Sequence, residues 1–193
     1  KNAAKAPAYF SKGIALAKLQ RHGEALAAFD RMLVYDPENP LAHYHRGRAL
    51  AELGQHRDAV LAFERTLTVK PGYHDAQMRM GVSLFQIGRF PEAVAAFDRV
   101  LTASPRNFHA QYQKGLALAG MNQHAGALEA FDAAIAVRSD FGDAYLQKGH
   151  MLAALGMHDR AVEAYSFAGD YLPASAAAFF GKGTALYETE RYA

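Results

Sequence analysis

The sequence contains no cysteine and no tryptophan. Without cysteine there is no disulfide framework, no thiolate-bound zinc, no iron–sulfur cluster and no thiol nucleophile. The same absence fits a reduced cytosol and a disulfide-free periplasm; a cytoplasmic location is the working expectation. Net charge is scarce as well, since 21 Lys and Arg oppose 19 Asp and Glu to leave +2. Recognition of phosphate backbones gathers many basic residues on one face, so nucleic acid is not an expected partner. Charges interrupt every apolar stretch well short of the roughly 20 residues that cross a bilayer, so membrane insertion is not expected. Catalytic punctuation is missing too. There is no G-x-S-x-G elbow, Walker loop, dinucleotide fingerprint or H-E-x-x-H, and no nucleophile stands beside a recognisable base. The chain therefore reads as a non-enzyme with no cofactor.

What is present is a period. Glycine recurs every 34 residues at Gly13, Gly47, Gly81, Gly115, Gly149 and Gly183. Alanine keeps the same step at Ala25, Ala59, Ala93, Ala127 and Ala161, each followed four residues later by Phe29, Phe63, Phe97, Phe131 or Tyr165. Proline closes four units at Pro37, Pro71, Pro105 and Pro173, with Ser139 in that place in the remaining full unit. Such a period is the mark of a repeat architecture.

Within a unit, Leu16, Leu19, Leu26, Phe29 and Leu33 form two helically spaced stripes around the polar turn Gln20-Arg21-His22-Gly23. Gly54, Gly88 and Gly156 stand at this turn in three units, where a left-handed residue ends a helix at little cost. Each closing proline ends the second helix, because the residue before it is driven out of the α region. The recurrent glycine lies inside the first helix at a cost of about 1 kcal/mol relative to alanine. Close approach of the paired helix backbones, with alanine facing glycine, is the expected compensation.

These residues together resemble the tetratricopeptide repeat family from Ala6 to Ala193. The resemblance implies an all-α fold, a right-handed superhelical solenoid of antiparallel helix pairs. It sets a leader at 1–5 and one array at 6–193, divided into repeats 6–39, 40–73, 74–107, 108–141 and 142–175 with a partial sixth at 176–193. The sixth stops where its second helix would begin, and the array is expected to continue. The large aromatic near the start of the first helix is kept as Tyr9, Tyr145 and Phe179 but replaced by His43, Gln77 and Gln111. The leucine before each glycine is replaced by Lys12, Arg46, Met80, Lys114, Lys148 and Lys182, whose stems are expected to pack while the charged heads reach water.

The resemblance also implies that first helices line a binding groove, so function rests on the residues pointing into it. Tyr44, Met78, Tyr112 and Leu146 are candidate apolar anchors; His45, Arg48 and Arg79 favour an acidic group; Gln113 and Gln147 can bond peptide backbone. Val82, Phe85, Leu116 and His150 complete the candidate lining. Packed helices lie about 8–10 Å apart and an extended chain advances about 3.3 Å per residue, so one repeat reads about every third ligand residue. The chaperone-carboxylate clamp of some relatives is not expected. Its positions hold Phe10, Ile14, His45, Asp75 and Arg79 here, and only Arg79 matches.

Nine histidines raise the question of metal. His22, His56, His124 and His158 share one repeat position, too far apart for ligand distances of about 2.0–2.1 Å, and His43 and His45 point to different faces, so no metal is expected. Acidic Glu24, Asp58, Glu92 and Glu163 near the starts of second helices suit the helix dipole. The leading expectation is a protein–protein interaction scaffold holding an extended peptide or partner segment. The alternatives are self-association through the array ends, using Phe179, Phe180, Tyr187 and Tyr192, or an accessory arm that recruits substrates for a larger enzyme such as a glycosyltransferase. Gly169, where other units hold Leu33, Leu67, Leu101 or Ile135, predicts weaker packing over 162–172.

Overall fold

The computed structural model describes the backbone of residues 5–192 and the side chains of residues 5–190. Among the described residues there are eleven helices and no strand: α1 (Lys5–Lys18), α2 (His22–Tyr35), α3 (Pro40–Glu52), α4 (His56–Val69), α5 (His74–Gln86), α6 (Phe90–Ala103), α7 (Phe108–Gly120), α8 (His124–Val137), α9 (Gly142–Ala154), α10 (His158–Tyr171) and α11 (Ala176–Tyr192). Lys5, assigned to the leader by sequence, already belongs to α1. Helix packing divides the chain into two compact units, one ending at Arg99 and one starting at Val100. In the first, α1 pairs with α2 and α3 with α4, while α2 and α4 pack on the following first helices α3 and α5. In the second, α7–α8 and α9–α10 are the pairs, and α8 and α10 pack on α9 and α11. The fold is an all-α solenoid of helix hairpins.

The aromatic of each second helix forms the centre of its hairpin, and Phe29, Phe63, Phe97 and Phe131 are wholly buried. The glycine is there for that ring. A Cβ added to Gly13, Gly47, Gly81 or Gly115 would stand 2.5–2.7 Å from the Cε1 of Phe29, Phe63, Phe97 or Phe131, and one on Gly149 would stand 2.6 Å from Tyr165. This corrects the expected pairing of glycine with alanine: the edge of an aromatic ring, not a second backbone, occupies the space. Gly183 has nothing within 4 Å of an added Cβ. Two heads of the basic column also find partners. Arg46 reaches Asp30 on α2 at 2.7 Å and Lys148 reaches Asp132 on α8 at 2.6 Å, so at the surface these two tie a first helix to the preceding second helix.

The hairpin turns share one left-handed residue. Gly54, Gly88 and Gly156 take φ of 74°, 75° and 71°, as their type allows, but Gln20 and Asn122 adopt 61° and 58° at the same repeat position. An ordinary L-residue there costs about 1–2 kcal/mol. Gln20→Gly is therefore expected to raise the melting temperature, and Asn122→Gly to raise it less, because asparagine tolerates this region; a lower melting temperature for Gln20→Gly would refute the assignment of strain. Proline is not needed at the far end. The residues after α2, α4 and α10 leave the helical region, with φ of −142° at Asp36, −133° at Lys70 and −127° at Leu172, and Arg138 does so equally, at −133°, before Ser139. First-turn carboxylates are Glu24, Asp58 and Glu92 as expected, whereas α10 uses Asp159 and places Glu163 a turn later.

Gly169 on α10 leaves a gap that Phe179 of α11 only partly covers. The Phe179 ring approaches a Cβ position at Gly169 to 3.5 Å while remaining more than half exposed. Amide hydrogens of 162–172 are expected to exchange faster than those of 93–101. Equal protection would show that Phe179 replaces the missing leucine.

Candidate partner-binding face

In the unit ending at Arg99, α1, α3 and α5 present the predicted lining through residues spaced one helical turn apart. Asn39 fixes the start of α3, its Oδ1 accepting from the Ala42 amide at 3.0 Å. Tyr44 and His45 follow on the first turn and Arg48 on the next. Tyr44 is not an open rim residue. Only 6 % of it is exposed, its ring lies 6.1 Å from Phe63 and 4.8 Å from Tyr73, and its hydroxyl accepts from Arg79 Nε at 3.1 Å. It works as a buried post that holds the polar groups around it. Arg48 Cζ lies 5.8 Å from the centroid of the same ring, so the Tyr44 phenol positions both guanidinium groups.

His45 is half-buried, stacked on Phe29 at 5.6 Å and edge-on to Phe10 at 5.5 Å. Burial, and then the charges of Arg48 and Arg79, push its imidazole down to about 4. His45 and Arg48 open onto a cavity of about 400 Å³ with Ile14, Ala17, Lys18, Gln20, His22, Ala49 and Glu52. Arg48 Nε is enclosed without a hydrogen-bond partner, which leaves the terminal nitrogens as its donors to that cavity. Elsewhere in this unit Arg21, Arg46, Arg65 and Arg89 are matched with Glu24, Asp30, Glu38 and Glu92. Arg48 and Arg79 have no carboxylate partner among the described residues. Met78, Val82 and Phe85 are half-buried on α5, and Phe85 packs on Phe90 at 5.4 Å.

The unit starting at Val100 holds the other candidates. Tyr112 is half-buried against Phe131 at 5.8 Å and Phe141 at 5.0 Å, and burial, with Asp143 nearby, raises its phenol. Gln113, Leu116, Leu146 and Gln147 are half-buried, and Leu146 packs against the Leu152–Tyr165 core. His150 lies edge-on to Tyr165 at 5.6 Å, and burial lowers its imidazole. It lines a cavity of about 370 Å³ with Ala153, His158, Gly181, Thr184, Ala185 and Glu188, among others. Four repeats separate these residues from Ala17, His22, His45, Arg48, Ala49 and Glu52. The repeat thus builds the same cavity twice. Gly181 and Thr184 stand where the first cavity has His45 and the charged Arg48, and the second carries no cation there.

Sequence reading missed Tyr73, Lys18, His22 and Glu52. A signal was available: residue n of one first helix lies beside n + 31 of the next, as Ile14 beside His45 and Ala17 beside Arg48, which brings the end of α1 to the middle of α3. Among the described residues no three His, Asp or Glu could hold a metal ion, and no helix is long and apolar enough to cross a membrane.

A Tetratricopeptide repeat model matches residues 10–56, 44–108 and 112–166. The chain belongs to the tetratricopeptide repeat family. No curated protein matches it. Among solved TPR structures, MamA 41-end from Desulfovibrio magneticus RS-1 is 25% identical with a TM-score of 0.85, over 89% of this chain and 97% of that one. A MamA RS-1 double mutant gives 25% and 0.83, over 86% and 94%. YrrB, described as a TPR protein with an unusual peptide-binding site, is 23% identical with a TM-score of 0.80, over 91% and 90%, a likeness of fold alone.

Proposed function

We propose that this TPR solenoid is a protein-interaction scaffold whose first-helix face holds an extended segment of a partner protein, with an acidic side chain at Arg48 and Arg79. One observation carries the reading: among the arginines of this unit without a carboxylate partner in the described residues, which include the exposed Arg31, Arg57 and Arg99, these two are held together by the Tyr44 phenol. Held cations without a counter-charge are electrostatic complements for an anionic partner. In the unit starting at Val100, half-buried Gln113 and Gln147 have amides able to bond peptide backbone and Leu116 and Leu146 are half-buried apolar candidates, as Met78 and Val82 are in the unit ending at Arg99. Titration of end-blocked Glu-Ala peptides against the wild type and Arg48→Ala/Arg79→Ala tests this reading; equal affinity for both proteins would remove the acidic contact.

A second reading is association between copies through α11. Phe180 is 79 % exposed and Phe179 and Tyr187 are exposed beside it, while the side chain of Tyr192 lies outside the described residues. Light scattering across protein concentration distinguishes a monomeric binder from such an assembly.

A further inference from the structure

We propose that the cavity between α1 and α3 takes up an acidic side chain together with a proton, His45 becoming a third cationic donor beside Arg48 and Arg79. The inference rests on the acidic-segment reading and adds to it a means of control by pH.

The geometry allows His45 this role. Its ring is clamped by Phe29 and Phe10 from the first hairpin and by Tyr44, 5.1 Å away in its own helix, so the imidazole has a fixed orientation at the cavity wall. It has no hydrogen-bond partner among the described residues, and neither ring nitrogen is an enclosed orphan. The charged and titratable groups around it come from each neighbouring element. Lys18 ends α1, His22 starts α2, and Tyr44, Arg48 and Glu52 share α3; Arg79 projects from α5, and Tyr73, with Asp75 acting on it, lies beyond Tyr44. Burial opposes its charge most, and the charges of Arg48 and Arg79 oppose it further, so in the free protein it is neutral down to about pH 4.

A carboxylate bound at Arg48 and Arg79 changes the balance. It cancels part of the repulsion from the two guanidinium groups and supplies an acceptor for an imidazolium N–H, which favours the charged ring. Desolvation remains, so the imidazole rises only part of the way to its ordinary value. The sign follows from linkage: the bound state holds more protons than the free state between the two titration points, so affinity grows as pH falls through that interval. Free folding shows the opposite slope. An unfolded histidine titrates near 6.5, above the folded His45, so the unfolded chain binds more protons between about pH 6.5 and 4 and stability falls across that window as acid is added. Ligand binding relieves the same penalty.

The test is calorimetric titration of an end-blocked Glu-Ala peptide at pH 7.5 and 5.5, where glutamate stays ionised, in two buffers of different ionisation enthalpy. Wild type is expected to bind more tightly at pH 5.5 with net proton uptake, by a few-fold and at most about tenfold in all, since the free imidazole near 4 is already neutral at pH 5.5 and the bound one stays below about 6.5. His45→Gln is expected to keep the wild-type helical circular dichroism and a cooperative melting transition at pH 7.5, which certifies its fold, and to lose both the uptake and the pH effect. Uptake that persists in His45→Gln would overturn the inference by assigning the proton to another group such as His22. Peptide binding that depends on Arg48 and Arg79 but takes up no proton would also overturn it, and would leave the acidic-segment reading standing. A wild type that ignores the peptide at both pH values would remove that reading as well.

Discussion

Phe63→Ala is expected to cost about 3–5 kcal/mol of unfolding free energy, and Gly47→Ala about 1–3 kcal/mol although alanine is the better helix former. Both values come from one contact. The Phe63 ring is wholly buried, and a Cβ on Gly47 would meet its Cε1 at 2.7 Å and its Cδ1 at 2.9 Å. Removing the ring leaves a cavity at the centre of the α3–α4 hairpin. Adding the methyl forces the ring out of place, because the ring is wholly buried and the Tyr44 ring, itself buried, packs against it at 6.1 Å. The two changes should therefore be non-additive. In Gly47→Ala/Phe63→Leu the smaller side chain admits the Cβ, so the double variant is expected to be more stable than the sum of the single costs. Gly183→Ala supplies the contrast: with nothing within 4 Å it should gain up to about 1 kcal/mol from helix propensity. Urea midpoints of these four and of Phe63→Leu, which closes the cycle, measure the costs, and the idea fails if Gly47→Ala and Gly183→Ala shift in the same direction.

Loss of acidic-peptide affinity in Arg48→Ala/Arg79→Ala is the other large expected effect. A hydrogen bond to a charged group is worth about 1.5–3 kcal/mol, so removing two at the same ligand side chain should cost about 3–6 kcal/mol and weaken binding by roughly 150-fold or more, toward the low end of that range because Arg79 is exposed. Arg48 should account for the larger share, since it is half-buried in the cavity wall and Arg79 is exposed, where salt screens it. Arg79→Lys should fall between wild type and alanine, because lysine keeps the charge but cannot reproduce the Nε donation to Tyr44. Raising ionic strength is expected to weaken wild type far more than the double variant. Arg57, exposed on α4, is the control, and Arg57→Ala should bind as wild type does. A comparable loss on removing Arg57 would mean that general positive charge, not this pair, attracts the peptide.

The helices, their turns and the packing stripes were legible because each depends on local chemistry repeated every 34 residues. The groove candidates were legible only as a list. Tyr44 and Tyr112 looked like apolar anchors, yet their rings fill the seams against Phe63 and Tyr73 and against Phe131 and Phe141, since an aromatic near a hairpin junction buries more area against the next hairpin than against solvent. The basic column looked solvated, and its spacing did not show that Arg46 and Lys148 find Asp30 and Asp132 sixteen residues back. Such partners lie on another helix, and pattern within one helix does not reveal them.

The sequence by itself determined the hairpin repeat, the positions of the turns and the want of thiol chemistry, since these follow from residue type and spacing along one chain. Only the tertiary structure decided why glycine recurs and which arginines are unsatisfied. Both are properties of space between helices: the glycine is set by a ring sixteen residues onward, and the charge at Arg48 and Arg79 matters because no carboxylate of the described chain reaches it while the Tyr44 hydroxyl does. The near-neutral composition conceals this site because a sum of charges does not record which of them have met.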